Sequence, residues 1–200
     1  MKNNPSRRLT TPIGFIYFPA LTEPLPMNPF TNKPEEHFSA TLLLESGTDL
    51  TSLKKAVYDC ATEMWPEGVE DSRHDSETKG KVFSVKDALK KGILHNPLLT
   101  KNLSQKGFPE DSVYIRVKTK QQPIIVDSQR ESIDPSTVQA GNKVCMSVSI
   151  FPFDKYGGAK GITIWLNGIQ RVSKGKPPQF NPAADFEIIP TETIEAEEAA

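Results

Sequence analysis

The chain has 200 residues, of which 36% are hydrophobic, 17 are proline and 12 are glycine, and its formal net charge is −1. These values suit one domain with appendages and favour short strands and turns over a helical bundle. The longest apolar runs, such as Leu42–Leu44, are far too short to cross a bilayer, and the basic start "MKNNPSRRL" lacks the apolar stretch of a secretory signal, so the expectation is a soluble, intracellular protein.

Residues 1–9 read as a flexible basic arm. "IGFIYFPAL" (13–21), rich in aromatic and β-branched residues, predicts a first strand. The proline-rich "TEPLPMNPFTNKPEE" predicts a loop, and "HFSATLLLE" (37–45) a second strand. Leu50, Leu53, Val57, Ala61 and Met64 recur at spacings of three and four. That pattern predicts a helix with one apolar face, capped by Asp49 or Thr51 and stopped by Pro66. Residues 67–81 read as a mobile polar loop and "FSVKDALKKG" as a short helix ending at Gly92. Together, 67–112 read as an elaboration of the fold. "VYIRVKTK" (113–120), Pro123–Val126, "KVCMSVSIFPF" (143–153) and "ITIWLNGIQRV" (162–172) supply the remaining strands. The last two flank the glycine-rich hairpin "DKYGGAKG".

Five or so strands with a helix between early strands make the chain mainly β. They fit an OB-fold-like five-stranded barrel over residues 10–182, with elaborated loops. Periodicity alone leaves another small barrel or a sandwich open. Residues 183–200 read as a disordered acidic tail. They hold six acids and no Lys or Arg, which leaves 24 bases against 19 acids in the body, a net of +5. A basic body with an acidic tail suggests a polyanion ligand and an internal competitor for it; the plainer reading of the tail is a solubiliser.

Alternation sorts the strands into faces. In 113–120, Val113, Ile115, Val117 and Thr119 share one side, and Tyr114, Arg116, Lys118 and Lys120 the other. On the long hairpin, Val144, Met146, Val148, Ile150, Ile162, Ile164 and Leu166 form an aliphatic set. If that set faces the core, Phe151, Phe153 and Trp165 share the outer side, with Tyr156, Lys155 and Lys160 at the tip and Arg171, Lys174 and Lys176 beyond. Rings interleaved with cations at strand spacing are what a binder of unpaired nucleic acid needs. Open base faces stack on rings at about 1–3 kcal/mol each. Each phosphate neutralised on a single strand adds about −0.7 to the slope of log K against log salt. The competing readings are that the rings fill a second core layer, or that the strip is a protein interface of a replication or recombination accessory protein.

Catalytic and metal motifs are absent from the sequence. Glu35–Glu36 and Glu70–Asp71 sit in polar stretches, and no Gly-x-Ser-x-Gly, P-loop or dinucleotide-binding pattern occurs. His37, His74 and His95 are scattered and read as surface residues; Cys60 and Cys145 read as free thiols. The expectation is a protein that is not an enzyme and carries no cofactor or metal.

"GNKVCMSVSIFPFDKYGGAKGITIWLNGIQRV", preceded by "VYIRVKTKQQPIIVD" and, further upstream, by "FSATLLLE" and the helix with Trp65, resembles a group of phage-encoded single-stranded DNA-binding proteins, once catalogued as a domain of unknown function. The resemblance spans roughly residues 10–180. It implies an OB-fold, sequence-nonspecific binding of single-stranded DNA, and a role in phage DNA replication or recombination in the cytoplasm of the infected host. It also implies that the acidic tail recruits replication proteins and competes with DNA. On this reading Tyr114, Phe151, Phe153, Tyr156 and Trp165 stack on bases, and Arg116, Lys118, Lys120, Lys155, Lys160, Arg171, Lys174 and Lys176 contact phosphates.

Overall fold

A computed structural model of the chain describes residues 5–27, 34–73, 76–98, 111–154 and 159–175. Its strands are β1 (Arg7–Thr10), β2 (Gly14–Met27), β3 (Pro34–Leu44), β4 (Val69–Glu70), β5 (Val82–Phe83), β6 (Val113–Thr119), β7 (Ile124–Val126), β8 (Lys143–Asp154) and β9 (Lys160–Ser173). Its helices are α1 (Thr51–Met64) and α2 (Val85–Lys90), with a 3-10 turn at Pro135–Thr137.

Five of the strands close a ring. β8 pairs with β2, β2 with β3, β3 with β6, β6 with β9, and β9 returns to β8. All of these pairings are antiparallel except β6–β9. The result is an OB-fold-like barrel, as the sequence predicts. β1 takes the edge of β8 that β2 leaves, pairing Arg7–Thr10 with Ile150–Ser147. β7 does the same for β9 at Gly168–Gln170.

The barrel closes because alternation places one aliphatic set inside. Ile16, Leu42, Leu44, Ile115, Met146, Val148, Ile150, Ile162 and Ile164 are all buried in one core. Removing each such side chain from water is worth about 1.5–3 kcal/mol. Helix α1 adds Leu53, Val57, Cys60 and Ala61 to the same core and packs on β8 and β9. Its N-cap position is Leu50, which makes no side-chain capping bond; Asp49 Oδ1 instead accepts from the Thr51 amide at 2.9 Å. In α2, Ser84 Oγ accepts from the Asp87 amide, a stronger cap for a shorter helix.

Several expectations are corrected here. The basic arm is a strand from Arg7 onward, because Leu9 reaches the core while Arg8 and Thr10 stay outside. The proline-rich stretch continues β2 to Met27. Pro24 and Pro26 are tolerated there because β2 beyond Tyr17 pairs with β3 only sparsely, at Ala20–Ser39, Leu25–His37 and Met27–Pro34. The segment expected as a mobile loop, 67–81, holds β4 and the turn that leads it back to β5. Asp71 is fully buried and organises it, accepting from the Arg73 guanidinium at 2.8 and 2.9 Å, from Ser76 Oγ at 2.7 Å and from Thr78 Oγ1 at 2.7 Å. These partners hold its carboxyl far below the usual carboxylate range, the Arg73 bond first. His37 is buried rather than on the surface, His95 is exposed as expected, and His74 lies outside the described residues. Both cysteines are free thiols.

Candidate nucleic-acid interface

Register sets the outer face of the barrel row by row. Ser39 on β3 pairs with Lys118 on β6, Lys118 with Trp165 on β9, Trp165 with Ser149 on β8, and Ser149 with Arg8 on β1. Paired residues point to the same side, so these five side chains form one belt. From Lys118 to Arg8 it spans three strand spacings, roughly 14 Å. Trp165 stands in the belt's middle, 38% exposed. Phe151 meets it edge-on, with ring centroids 6.2 Å apart and planes at 72°. Beside Trp165, toward β6 and β3, a small depression is lined by His37, Lys118, Thr119 and Lys120. On the other side, a shallow groove of about 230 Å³ runs along the outer face of β8 and β9, between Arg8 and Thr10 on β1 and Ile124 and Val126 on β7. Its floor includes Ser147 and Asn167, and Asn167 Nδ2 donates to Ser149 Oγ at 3.0 Å.

Phe153, half-buried, packs against His95, with ring centroids 6.2 Å apart. The His95 backbone is strapped to the start of β9: its N–H donates to the Lys160 carbonyl at 2.9 Å, and its carbonyl accepts from the Ile162 amide at 3.0 Å. Desolvation of its ring pushes the His95 imidazole below its ordinary pKa. Phe153 and half-buried Lys160 are thus anchored near the end of the β8–β9 pairing; Lys155, Tyr156 and Lys176, singled out from the sequence, lie outside the described residues.

A second row holds an apolar cluster. Phe15, Leu43 and Tyr114 pair across β2, β3 and β6 and pack together outside the barrel, with Tyr17 against them. Cations cover it: Arg116 lies 5.7 Å from the Tyr114 ring centroid and Lys143 Nζ 5.3 Å from that of Phe15. Tyr114 is therefore on the expected face but only 7% exposed. Its ring is a floor beneath Arg116, not an open stacking surface. Arg171 also departs from expectation. Its guanidinium donates to the Thr137 carbonyl at 3.1 Å, six residues along β9 from Trp165, or roughly 20 Å at strand rise. Lys174 is exposed just past the end of β9, near Arg171 and away from the belt. Of the residues singled out from sequence, the fold therefore gathers Trp165, Phe151, Lys118 and Lys120, with Arg116 one row away.

Arg8 and His37 are missed by the sequence reading. For Arg8 a signal existed, since "RLT" alternates polar and apolar, but a four-residue strand is too short to announce itself. His37 carries no signal; only the β3–β6 register brings it to Lys118 and Lys120. Among the described residues no cluster of three or more His, Cys, Asp or Glu could hold a metal ion, and no helix is long and apolar enough to cross a membrane.

Residues 16–199 match the family described as the ssDNA-binding protein of Enterobacter phage Enc34. No curated protein matches the chain. Among solved structures, the single-stranded DNA-binding protein from bacteriophage Enc34 in complex with ssDNA superposes with a TM-score of 0.56 at 16% identity, over 85% of this chain and 88% of that one. A C-terminal truncation of the same protein gives a TM-score of 0.57 at 14% identity, over 88% and 94%. The single-stranded DNA-binding protein gp2.5 of bacteriophage T7 gives 0.57 at 11% identity, over 92% and 97%. At these identities the structural likeness speaks to the fold.

Proposed function

The chain belongs to the Enc34 ssDNA-binding protein family, and from that premise we propose that it binds single-stranded DNA without strong sequence preference along the belt centred on Trp165. The observation that carries this reading is the placement of one exposed tryptophan between Lys118 and Arg8 on a single outer row, with the Phe151 ring against its edge. A base stacks on a ring whatever its identity, and cations beside the ring meet the flanking phosphates. Lys118, Lys120 and Arg8 are the cations around Trp165, with Arg116 on the next row, two residues from Lys118 along β6. OB-folds bind oligonucleotides over their second and third strands, here β3 and β6, which is where His37, Arg116 and Lys118 lie.

On this reading the protein works without catalysis or cofactor. It coats or organises single strands during phage DNA replication or recombination in the host cytoplasm. Residues 183–200 act as a phosphate mimic that competes for the basic face and as a handle for replication or recombination proteins. The test is a fluorescence anisotropy titration of labelled oligo-dT and of a duplex of equal length. The expected result is tighter binding to oligo-dT, weakening steeply with salt, and tighter still at low salt for a chain ending at residue 182. Tighter binding to the duplex, or no binding at low salt, contradicts the proposal. Salt-insensitive association through the strip favours a protein interface instead.

A further inference from the structure

Phe18 is 72% exposed, more than any other aromatic side chain among the described residues. Strict alternation would not put it there. Ile16 lies in the core and Tyr17 on the outer cluster, so the next residue should turn inward. Between Tyr17 and Ala20, however, β2 advances three residues while its partner advances two, from Thr41 to Ser39. The extra residue is a β-bulge, a device that re-aims a side chain. Leu21, beyond the bulge, returns to the core.

The backbone at Phe18 is also costly. Its φ is +47°, a left-handed conformation that is an outlier for a bulky side chain. Pro19 follows, and a residue before proline normally prefers extended φ. Glycine would take this conformation without strain. The fold instead keeps a phenylalanine there and turns its ring to solvent, with the Tyr17 ring centroid 6.3 Å away. Backbone strain of this kind gathers at ligand clamps.

Position says what the ring meets. Tyr17, Thr41 and Arg116 form one row of the sheet; Ala20, Ser39, Lys118 and Trp165 form the next. Phe18 sits on β2 between these rows, three strands from Trp165, roughly 14 Å along the sheet. Two cations, Arg116 and Lys118, lie on the strand β6 that the path must cross. Two rings with cations between them fit two unpaired bases joined by a phosphate chain.

We infer that Phe18 is a second base-stacking platform, held out by the bulge, and that single-stranded DNA runs from Trp165 across β6 and β3 to β2. This rests on the single-strand reading above and adds a path to it. The test uses the full chain with Phe18→Ala, Phe18→Gly and Phe18→Trp, each titrated with labelled oligo-dT and melted alone. The loss of one stack predicts roughly 5- to 150-fold weaker binding for F18A and F18G. F18W should bind within about threefold of wild type, at the edge of what one ring exchange changes. F18G should melt at or above the wild-type temperature, because glycine relieves the φ strain, so its loss of affinity reads as a lost contact. Wild-type affinity in both F18A and F18G, with wild type itself binding oligo-dT, overturns the inference alone. Failure of the wild-type chain to bind oligo-dT overturns the single-strand reading and this path with it.

Discussion

Trp165→Ala is expected to weaken oligo-dT binding by roughly 5- to 150-fold, the value of one base stack, and to change the melting temperature little. The two effects separate because of where the ring stands. Trp165 is outside the barrel, while its strand neighbours Ile164 and Leu166 point inward and are buried. Truncating it leaves no hole in the core. What it removes inside the protein is the edge contact with Phe151, about 0.5–1.5 kcal/mol beyond burial. Trp165→Phe should recover part of the affinity. Trp65 is the second of the chain's two tryptophans and reports independently. Quenching of intrinsic fluorescence by oligo-dT should largely vanish in W165A while the Trp65 emission persists. Unchanged affinity in W165A removes the centre of the proposed belt.

Gly161→Ala is expected to be the most damaging small substitution near the hairpin. A Cβ at 161 would lie 2.5 Å from His95 Cβ, 2.6 Å from its N and 2.7 Å from its O. Backbone cannot swing aside as a flexible side-chain tip does. The 93–98 segment must separate from β9, breaking the bonds from His95 N–H to the Lys160 carbonyl and from the Ile162 amide to the His95 carbonyl. Losing two backbone bonds, one of them donated by fully buried Ile162, is on the order of 4 kcal/mol. For a chain of this size that is about 8–16 °C in melting temperature. The same rupture frees Phe153 from His95, so binding should weaken as well. An unaltered melting curve, with the Ile162 amide as protected from hydrogen exchange as in wild type, contradicts the role assigned to this strap.

Which parts of this were legible in the sequence follows from the range of each signal. The face of the long hairpin was legible. Val144 through Ile150 and Ile162 through Leu166 alternate strictly, and their aliphatic members are all buried. Helix α1 was legible from its three-and-four spacing. The family resemblance, carried by the ordered strands and the glycine hairpin, agrees with the match over residues 16–199. What alternation cannot supply is cover. It placed Tyr114 outside the barrel and beside Arg116, yet Phe15 and Leu43 also pack against the ring, and both come from other strands that no spacing in the sequence links to it.

Local exceptions were equally hidden. One inserted residue between Tyr17 and Ala20 reverses the facing of Phe18, and no composition change marks it. Prolines argued for a loop where a sparsely paired strand tolerates them. The β4–β5 hairpin depends on Asp71 gathering Arg73, Ser76 and Thr78, a nonperiodic pattern that reads as an ordinary polar loop. Arg171 was read as a phosphate contact from its place after the aromatic strand and from the family resemblance, but its guanidinium binds the Thr137 carbonyl, a partner 34 residues away.

Photo-crosslinking of the full chain to oligo-dT, followed by mass-spectrometric mapping of the adducts, tests the proposed interface most directly. Tyr58 is the internal control, because it is 44% exposed on α1 and so as open to solvent as Trp165 at 38%. Adducts in the peptides carrying Phe151 and Trp165, with none at Tyr58, are the expected result. Adducts concentrated at Tyr58, with Phe151 and Trp165 unmodified, would place the DNA on the helical side of the molecule and contradict the account.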